Sequence, residues 1–192
     1  MNAPLPSLDE LLAQADKLPT LPQVVRYILE TLNDEEANAD ALVQQLNTDP
    51  AIVARLLAAA NSSAFGLSSQ VASTRQAILV LGLATVRSVT LATALIDRLG
   101  KVGGVGALLW RHSLGVATCA RSVAERVGLN PEAAFSAGLL HDIGQLLMLA
   151  VVPDGVAMAG ERARAEDESI VAAERAVFGY DHAEVGAGLA RL

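Results

Sequence analysis

Cysteine and aromatic residues are both scarce in this sequence. The single cysteine, Cys119, rules out an internal disulfide and fits a reducing compartment. Aromatic residues make up 3% of the chain, although hydrophobic residues make up 52%. The core must therefore consist mainly of Ala, Leu and Val, and small or unbranched side chains favour closely packed helices.

Long apolar runs and an excess of positive charge are also lacking. The segment "LLMLAVV" has seven residues, whereas a membrane-spanning helix needs about 20. The opening "MNAPLPSLDELL" has neither the basic nor the apolar region of a signal peptide. The formal net charge is −7, whereas nucleic-acid-binding proteins usually carry a basic face. We therefore expect a cytoplasmic protein without a nucleic-acid or membrane partner.

Helix start signals recur along the chain, and no segment alternates apolar and polar residues as a half-buried strand would. The signals are capping boxes or an Asx residue followed by proline. They stand at Ser7–Glu10, Thr20–Gln23, Asp49-Pro50, Asn130–Glu132 and Asp181–Glu184. The sequence therefore predicts an all-α fold.

Two glycine features divide the predicted helices. Gly82 falls between two apolar stretches and is expected to act as a hinge. The segment "GKVGGVG", residues 100–106, has four glycines in seven residues. It lacks the strand and the Gly-Lys order of a phosphate-binding loop. We interpret it as a connector between lobes.

The three histidines of the chain are the main candidates for chemistry. His112, His141 and His182 belong to different predicted helices of the second half, and Asp142 follows His141 directly. His112 is predicted to lie on an apolar stripe with Leu109, Val116, Ala120, Val123 and Val127. Together these side chains can form an N/N/N/O metal site or a hydrogen-bonded polar cluster in the core.

His112 followed 29 residues later by His141-Asp142 resembles the HD superfamily of metal-dependent phosphohydrolases, which have an all-helical core. Longer segments resemble the HDOD family, the HD-related output domains. These segments are "LPTLPQVV", "NTDPAIVARLLAAANSSAFG", "TRQAILVLGLATVRSVTLA", "LWRHSLGVA", "FSAGLLHDIGQLLML" and "GYDHAEVGAGLARL". They occur in order and cover most of residues 18–192.

The resemblance implies a domain organisation and a ligand set. After a leader and first helix in residues 1–17, an N-terminal helical lobe of residues 18–99 packs on an HD-like lobe of residues 107–192. The family pattern normally continues past the segment that ends in "ARL". By motif, His112 corresponds to the first HD-superfamily ligand, His141-Asp142 to the second pair, and His182 to the His of the "DHAEVG" segment.

Departures from catalytic relatives point away from catalysis. Those of the HD-GYP type have "HDIGK" where this chain has a neutral Gln145, and they carry a paired-His segment and a Gly-Tyr-Pro motif that are absent from this sequence. The usual distal aspartate also has no match. We therefore assign no catalytic residue and expect no cofactor, with a divalent metal ion as the alternative.

The resemblance implies a bacterial signalling or output module. We expect it to be non-catalytic and to act on a protein partner or a small-molecule or nucleotide ligand. The alternative is a metal-dependent phosphohydrolase or phosphodiesterase. Three interpretations of His141-Asp142 stay open: a polar core network, a metal bound without turnover, and a working hydrolase.

Overall fold

The computed structural model describes residues 5–14, 23–31, 39–99 and 106–191. Within these ranges the chain forms α-helices and one short 3₁₀ helix, Ser63–Phe65, and no β-strand. The all-α prediction is confirmed. The helices are α1 Leu8–Leu12, α2 Gln23–Thr31, α3 Ala39–Leu46, α4 Pro50–Ala60, α5 Thr74–Leu99, α6 Gly106–Val127, α7 Pro131–Leu140, α8 Ile143–Val151, α9 Pro153–Ala165, α10 Ile170–Phe178 and α11 His182–Leu189.

Contacts divide the chain into two compact units. The terminal unit contains α1, the His141-Asp142 turn and α8 to α11. The central unit contains α2 to α7. The lobes predicted at 18–99 and 107–192 stay a prediction. Most of the glycine-rich connector lies outside the described residues, and its last residue, Gly106, begins α6.

The helix start signals identified in the sequence are present wherever the structure describes those residues. The Ser7 hydroxyl accepts from the backbone N–H of Glu10, and the Glu10 carboxylate accepts from the backbone N–H of Ser7. The carboxylate of Asp49 accepts from two N–H groups of α4, whose first residue is Pro50. Thr20 lies outside the described residues. These caps satisfy N–H groups that a helix leaves without an internal partner.

The predicted hinge in α5 is also confirmed. Gly82 has φ 74° and ψ 159°, so it interrupts the helical geometry between two helical stretches. A positive φ of this size is strained for residues with a Cβ atom but not for glycine. A Cβ at this position would also approach Glu132 Oε1 to 3.3 Å.

The central unit depends on close packing of α6 against α7. A Cβ atom on Gly138 of α7 would lie 2.8 Å from the Cα of Ala117 on α6, so only glycine permits this approach. The buried face of α6 contains Trp110, Ser113, Ala117 and Ala124. The prediction that His112 lies on a buried apolar stripe is wrong, because Val123 and Val127 of that stripe are exposed and His112 is exposed as well.

The terminal unit has its own apolar core. It consists of Leu11, Leu147, Met148, Tyr180 and Val185. Leu11 comes from α1, so the N-terminal helix packs with the last four helices. The Tyr180 hydroxyl donates to the carbonyl of Pro6 at 3.0 Å, which gives this buried polar group a partner.

Two stretches, Thr74–Asp97 and Pro131–Val151, are long and apolar enough to cross a membrane by length and composition. The structure breaks the first at Gly82 and the second at the His141-Asp142 turn. In each, 44% of the most apolar window is buried inside the protein. Core helices of soluble proteins have the same character, so this is weak evidence for membrane insertion.

Candidate functional site

The Asp142 side chain occupies an unusual position at the start of α8. It stands at the N-cap, where an aspartate usually accepts from backbone N–H groups of the first turn. In this helix the carboxylate makes no such bond, and the residue is only 7% exposed. Its oxygen Oδ1 instead lies 3.1 Å from Nε2 of His141. The carboxylate therefore serves the site rather than the helix end.

Local chain geometry brings His182 next to Glu174. Helix α10 ends at Gly179, whose φ of 82° reverses the chain. Asp181 then caps α11 through a reciprocal capping box with Glu184. This turn places the backbone N–H of His182 3.0 Å from Glu174 Oε2 and the ring atom Nδ1 2.6 Å from the same oxygen. One carboxylate oxygen of Glu174 thus accepts from two nitrogen atoms of the same residue.

The other ring nitrogen of His182 faces Asp142. Nε2 of His182 lies 3.6 Å from Asp142 Oδ1, the oxygen that His141 approaches from its own side. The terminal unit therefore brings together three of the four predicted site residues, His141, Asp142 and His182. His112 belongs to α6 of the central unit, where its side chain is exposed.

The site depends on a backbone-to-backbone contact between α8 and α11. A Cβ atom on Gly144 would overlap the carbonyl oxygen of His182 and lie 2.7 Å from the backbone nitrogen of Gly186. Even an alanine side chain would separate the two helices. Gly144 follows Asp142 by two residues, so the contact that it allows sets the distance between Asp142 and His182.

Charge around His182 favours its protonated form. The hydrogen bond to Glu174 raises the pKa of His182 above its usual value, and the negative charges of Glu174, Asp142 and Asp181 act in the same direction. Burial opposes this shift, but the net direction is upward. Since a protonated imidazole donates from both nitrogens, His182 can bridge Glu174 and Asp142.

A third buried carboxylate, that of Asp181, lies beside this cluster. Burial tends to raise the pKa of Asp181, but hydrogen bonds from the N–H groups of Glu184 and Ala183 and the charge of Arg175 lower it overall. Nη2 of Arg175 lies 2.6 Å from Asp181 Oδ2. Asp181 is therefore a structural anion that holds the start of α11 in place.

The donor set also fits a divalent metal ion. Each of His112, His141 and Asp142 offers one atom of a type that binds metals, and imidazole nitrogen with carboxylate oxygen suits Zn²⁺ and related ions. Metal-binding histidines commonly donate their second ring N–H to a carboxylate, and His182 has this arrangement with Glu174. The chemistry thus permits either a metal site or a closed hydrogen-bond network.

Glu174 is the functional residue that sequence reasoning missed. It is 3% exposed although it belongs to a helix in which charged neighbours such as Arg175 are solvent-exposed. The sequence held one signal for this contact: Glu174 lies eight residues before His182, with Gly179 between them. Such a signal becomes informative only when the reversal at Gly179 is known.

Comparison with known proteins gives a consistent result. The HDOD domain family model matches residues 18–192. A provisionally named phosphohydrolase from Shewanella amazonensis SB2B is 35% identical, with a TM-score of 0.71, over 94% of this chain and 65% of that protein. An HDOD domain protein of unknown function from Geobacter sulfurreducens is 34% identical, with a TM-score of 0.70, over 96% of this chain and 64% of its own.

A more distant structure shares the fold alone. It is a provisionally named metal-dependent phosphohydrolase from Shewanella amazonensis SB2B, 23% identical, with a TM-score of 0.63, over 96% of this chain and 68% of that protein. This chain spans slightly less than two thirds of the two more similar relatives. No curated protein matches it significantly.

Proposed function

Because the chain belongs to the HDOD domain family, we propose that it is a non-catalytic signal-transduction module that acts by binding a protein or small-ligand partner. The pairing of His182 with two buried carboxylates closes this cluster and is the observation that carries this proposal. Glu174 accepts from the backbone and ring of His182, and Asp142 faces the second ring nitrogen. A cluster closed in this way holds helices α8, α10 and α11 in register.

Proton occupancy supports the same conclusion. A metal ligand must present a neutral imidazole nitrogen, so metal binding competes with protons. Glu174 raises the pKa of His182, which makes removal of that proton harder. A metal ion that binds Nε2 of His182 would therefore have to displace a proton.

Gln145, which occupies the position of the lysine in catalytic relatives, also supports a non-catalytic role. Gln145 follows Gly144 in the first turn of α8 and carries no charge. Cleavage of a phosphate ester is promoted by positive charge beside the transferring group, and commonly by a metal-bound water or two metal ions. Gln145 supplies no such charge.

A metal-dependent phosphohydrolase is the second candidate, and one observation favours it. Two imidazole nitrogens, from His141 and His182, face the same oxygen of Asp142 at 3.1 and 3.6 Å. In such an enzyme His141, Asp142 and His182 would hold the ion, with His112 as a further ligand. The ion would activate water, and the protein side chains would bind and orient the substrate.

The proposed module would work in the bacterial cytoplasm. The two similar solved relatives come from Shewanella and Geobacter. A net charge of −7 disfavours nucleic acid as the partner and repels anionic membrane surfaces. A protein of a signalling pathway or a small molecule such as a nucleotide therefore remains the proposed partner.

Metal content and turnover together test the proposal. We expect purified protein to contain less than a stoichiometric amount of divalent metal and to show no turnover of bis(p-nitrophenyl) phosphate or nucleotides with added Zn²⁺, Mn²⁺ or Mg²⁺. We expect Asp142→Ala to lower the melting temperature, because it removes a buried partner of two histidines. Asp154→Ala, at an exposed position of α9, is the matched control.

The opposite pattern would establish the enzyme. One tightly held metal ion, turnover in the wild type, and loss of both in Asp142→Ala but not in Asp154→Ala would replace the proposed function with hydrolysis. Melting temperatures of the two variants separate loss of chemistry from loss of folding.

A further inference from the structure

A cavity of about 560 Å³ lies within the central unit. It is formed by the 3₁₀ helix Ser63–Phe65 with the following loop, by Val80 of α5 and by the later part of α6. The loop belongs to the "NSSAFG" segment, which the proposed function leaves unexplained. The volume of the cavity falls in the range of small-molecule binding sites.

Asn61 holds this loop in place. Its side-chain amide donates to the carbonyls of Leu57 and Val71, each at 2.9 Å, and its side-chain oxygen accepts from the N–H of Val71 at 2.8 Å. These three bonds fix both ends of the loop. The cavity wall is therefore preorganised, which reduces the entropy lost when a ligand binds.

The guanidinium of Arg121 is the chemically distinctive group of the cavity. Its central carbon lies 4.4 Å from the centre of the Phe65 ring, and this ring in turn packs edge-on against Phe135. This contact restricts the conformations available to the Arg121 side chain. Nε and Nη1 are buried and donate no hydrogen bond within the described part of the chain.

Charges beside Arg121 leave the cavity positive. Glu125 Oε1 lies 3.2 Å from Nε of Arg121 but off the axis of the N–H bond, so it forms an ion pair without a hydrogen bond. Arg126 also lines the cavity. The carboxylate offsets one of the two guanidinium charges, and one positive charge remains in a protein whose net charge is −7.

Hydroxyl groups add neutral donors to this set. Ser63 and Ser122 both line the cavity together with Arg121 and Arg126. A phosphate group presents several oxygens, and a guanidinium fork with hydroxyl donors is suited to bind them. Two N–H groups of Arg121 donate to no described residue, so their hydrogen-bonding capacity is available to an acceptor that a ligand brings.

We propose that this cavity binds a small ligand through a phosphate group, with Arg121 as the main contact and Arg126, Ser63 and Ser122 as further donors. The cavity is large enough for a mononucleotide. This proposal extends the proposed function by assigning a ligand class and a binding site. It does not depend on whether the His182 cluster binds a metal, so each proposal can fail separately.

NMR titration of the intact chain tests the proposal. Inorganic phosphate and adenosine monophosphate are added to ¹⁵N-labelled protein, with adenosine and sodium chloride of equal ionic strength as controls. We expect saturable shifts at Ser63, Gly66 and Ser122 and at the Nε–H of Arg121 with both phosphates, and none with adenosine or chloride.

Variants identify the contact. We expect Arg121→Gln to weaken phosphate binding about tenfold or more, because hydrogen bonds to charged groups are strong. Arg26→Gln makes the same charge change at an exposed site outside the cavity and should leave affinity within about twofold. Arg121→Lys keeps the charge but loses the planar fork, so it should bind phosphate more weakly than the wild type.

The adjoining cavity offers an independent readout. Cys119, the single and exposed cysteine, lines it together with Ser63, Ser122 and Arg126. We expect saturating phosphate to slow the reaction of Cys119 with a thiol reagent in the wild type but not in Arg121→Gln. Absence of saturable shifts, or equal phosphate affinity in wild type and in a folded Arg121→Gln variant, would overturn the proposal.

Discussion

The two units differ in how the buried atoms of a charged side chain are hydrogen-bonded. In the terminal unit, Glu174 is 3% exposed and accepts from two N–H groups of His182. In the central unit, Arg121 buries two guanidinium nitrogens that donate no hydrogen bond within the described residues. Breaking a buried, hydrogen-bonded charge pair is costly to its unit, whereas guanidinium N–H groups without hydrogen bonds are available to a ligand even though Arg121 is ion-paired with Glu125. The difference separates a structural cluster from a candidate binding site.

Removal of Glu174 should produce the largest effect. Glu174→Ala removes the acceptor of the backbone and ring N–H groups of His182, and breaking a buried, hydrogen-bonded pair in this way costs about 3–5 kcal/mol of unfolding free energy. Urea denaturation measures this loss. Glu161→Ala, at an exposed position of α9, is the control and should change stability by less than about 0.5 kcal/mol. Equal losses in the two variants would show that Glu174 is not part of a stabilising cluster.

A methyl group at the helix contact should have the next largest effect. The Cβ atom of Gly144→Ala would overlap the carbonyl of His182, so α8 and α11 must move apart at a cost of about 1–3 kcal/mol or more. Gly115→Ala is the matched control, because nothing lies within 4 Å of a Cβ there. It should stabilise α6 by about 0.5–1 kcal/mol. Opposite signs in thermal denaturation would confirm the contact.

The pH dependence of stability sharpens the comparison. Since Glu174 raises the pKa of His182 in the folded protein, protonation of His182 stabilises the fold. This contribution is fully present below the unfolded pKa of about 6.5 and is lost as pH rises through the higher folded value. In His182→Gln, the free energy of unfolding should depend less on pH in the range above about pH 6.5. Urea denaturation at a series of pH values measures the slope, and an unchanged slope in His182→Gln would contradict this role of His182.

The smallest stability change should come from the central unit. Nε and Nη1 of Arg121 make no hydrogen bonds within the described residues, so Arg121→Gln loses the stacking on Phe65 and a half-exposed ion pair with Glu125. We expect about 0.5–1 kcal/mol by urea denaturation. A loss as large as that of Glu174→Ala would mean that Arg121 is a structural residue, and the contrast between the two units would disappear.

Prediction from the sequence succeeded where the cause was local. The caps at Ser7, Asp49 and Asp181 formed because a side-chain oxygen within three residues can satisfy free N–H groups. Gly82 interrupted α5 because glycine alone tolerates its backbone angles. These outcomes need no knowledge of distant residues.

Prediction failed where the outcome depended on which helices touch. The spacing of apolar residues predicts His112 on the buried face of α6, but Val123 and Val127 on that stripe are exposed. The face that packs on α7 is instead defined by Ala117, which allows Gly138 to approach. Periodicity measures where apolar residues lie on a helix, not which of them a neighbour can reach.

The amino-acid order by itself determined the helical class, the helix starts and the residues available for a polar site, because caps and side-chain chemistry act over a few residues. Tertiary structure decided which of these residues meet. The close contact at Gly144 brought Asp142 to His182, and the reversal at Gly179 supplied Glu174 as the partner that spacing did not reveal. Side-chain pairing across helices depends on contact distances of a few ångströms, and packing alone sets those distances.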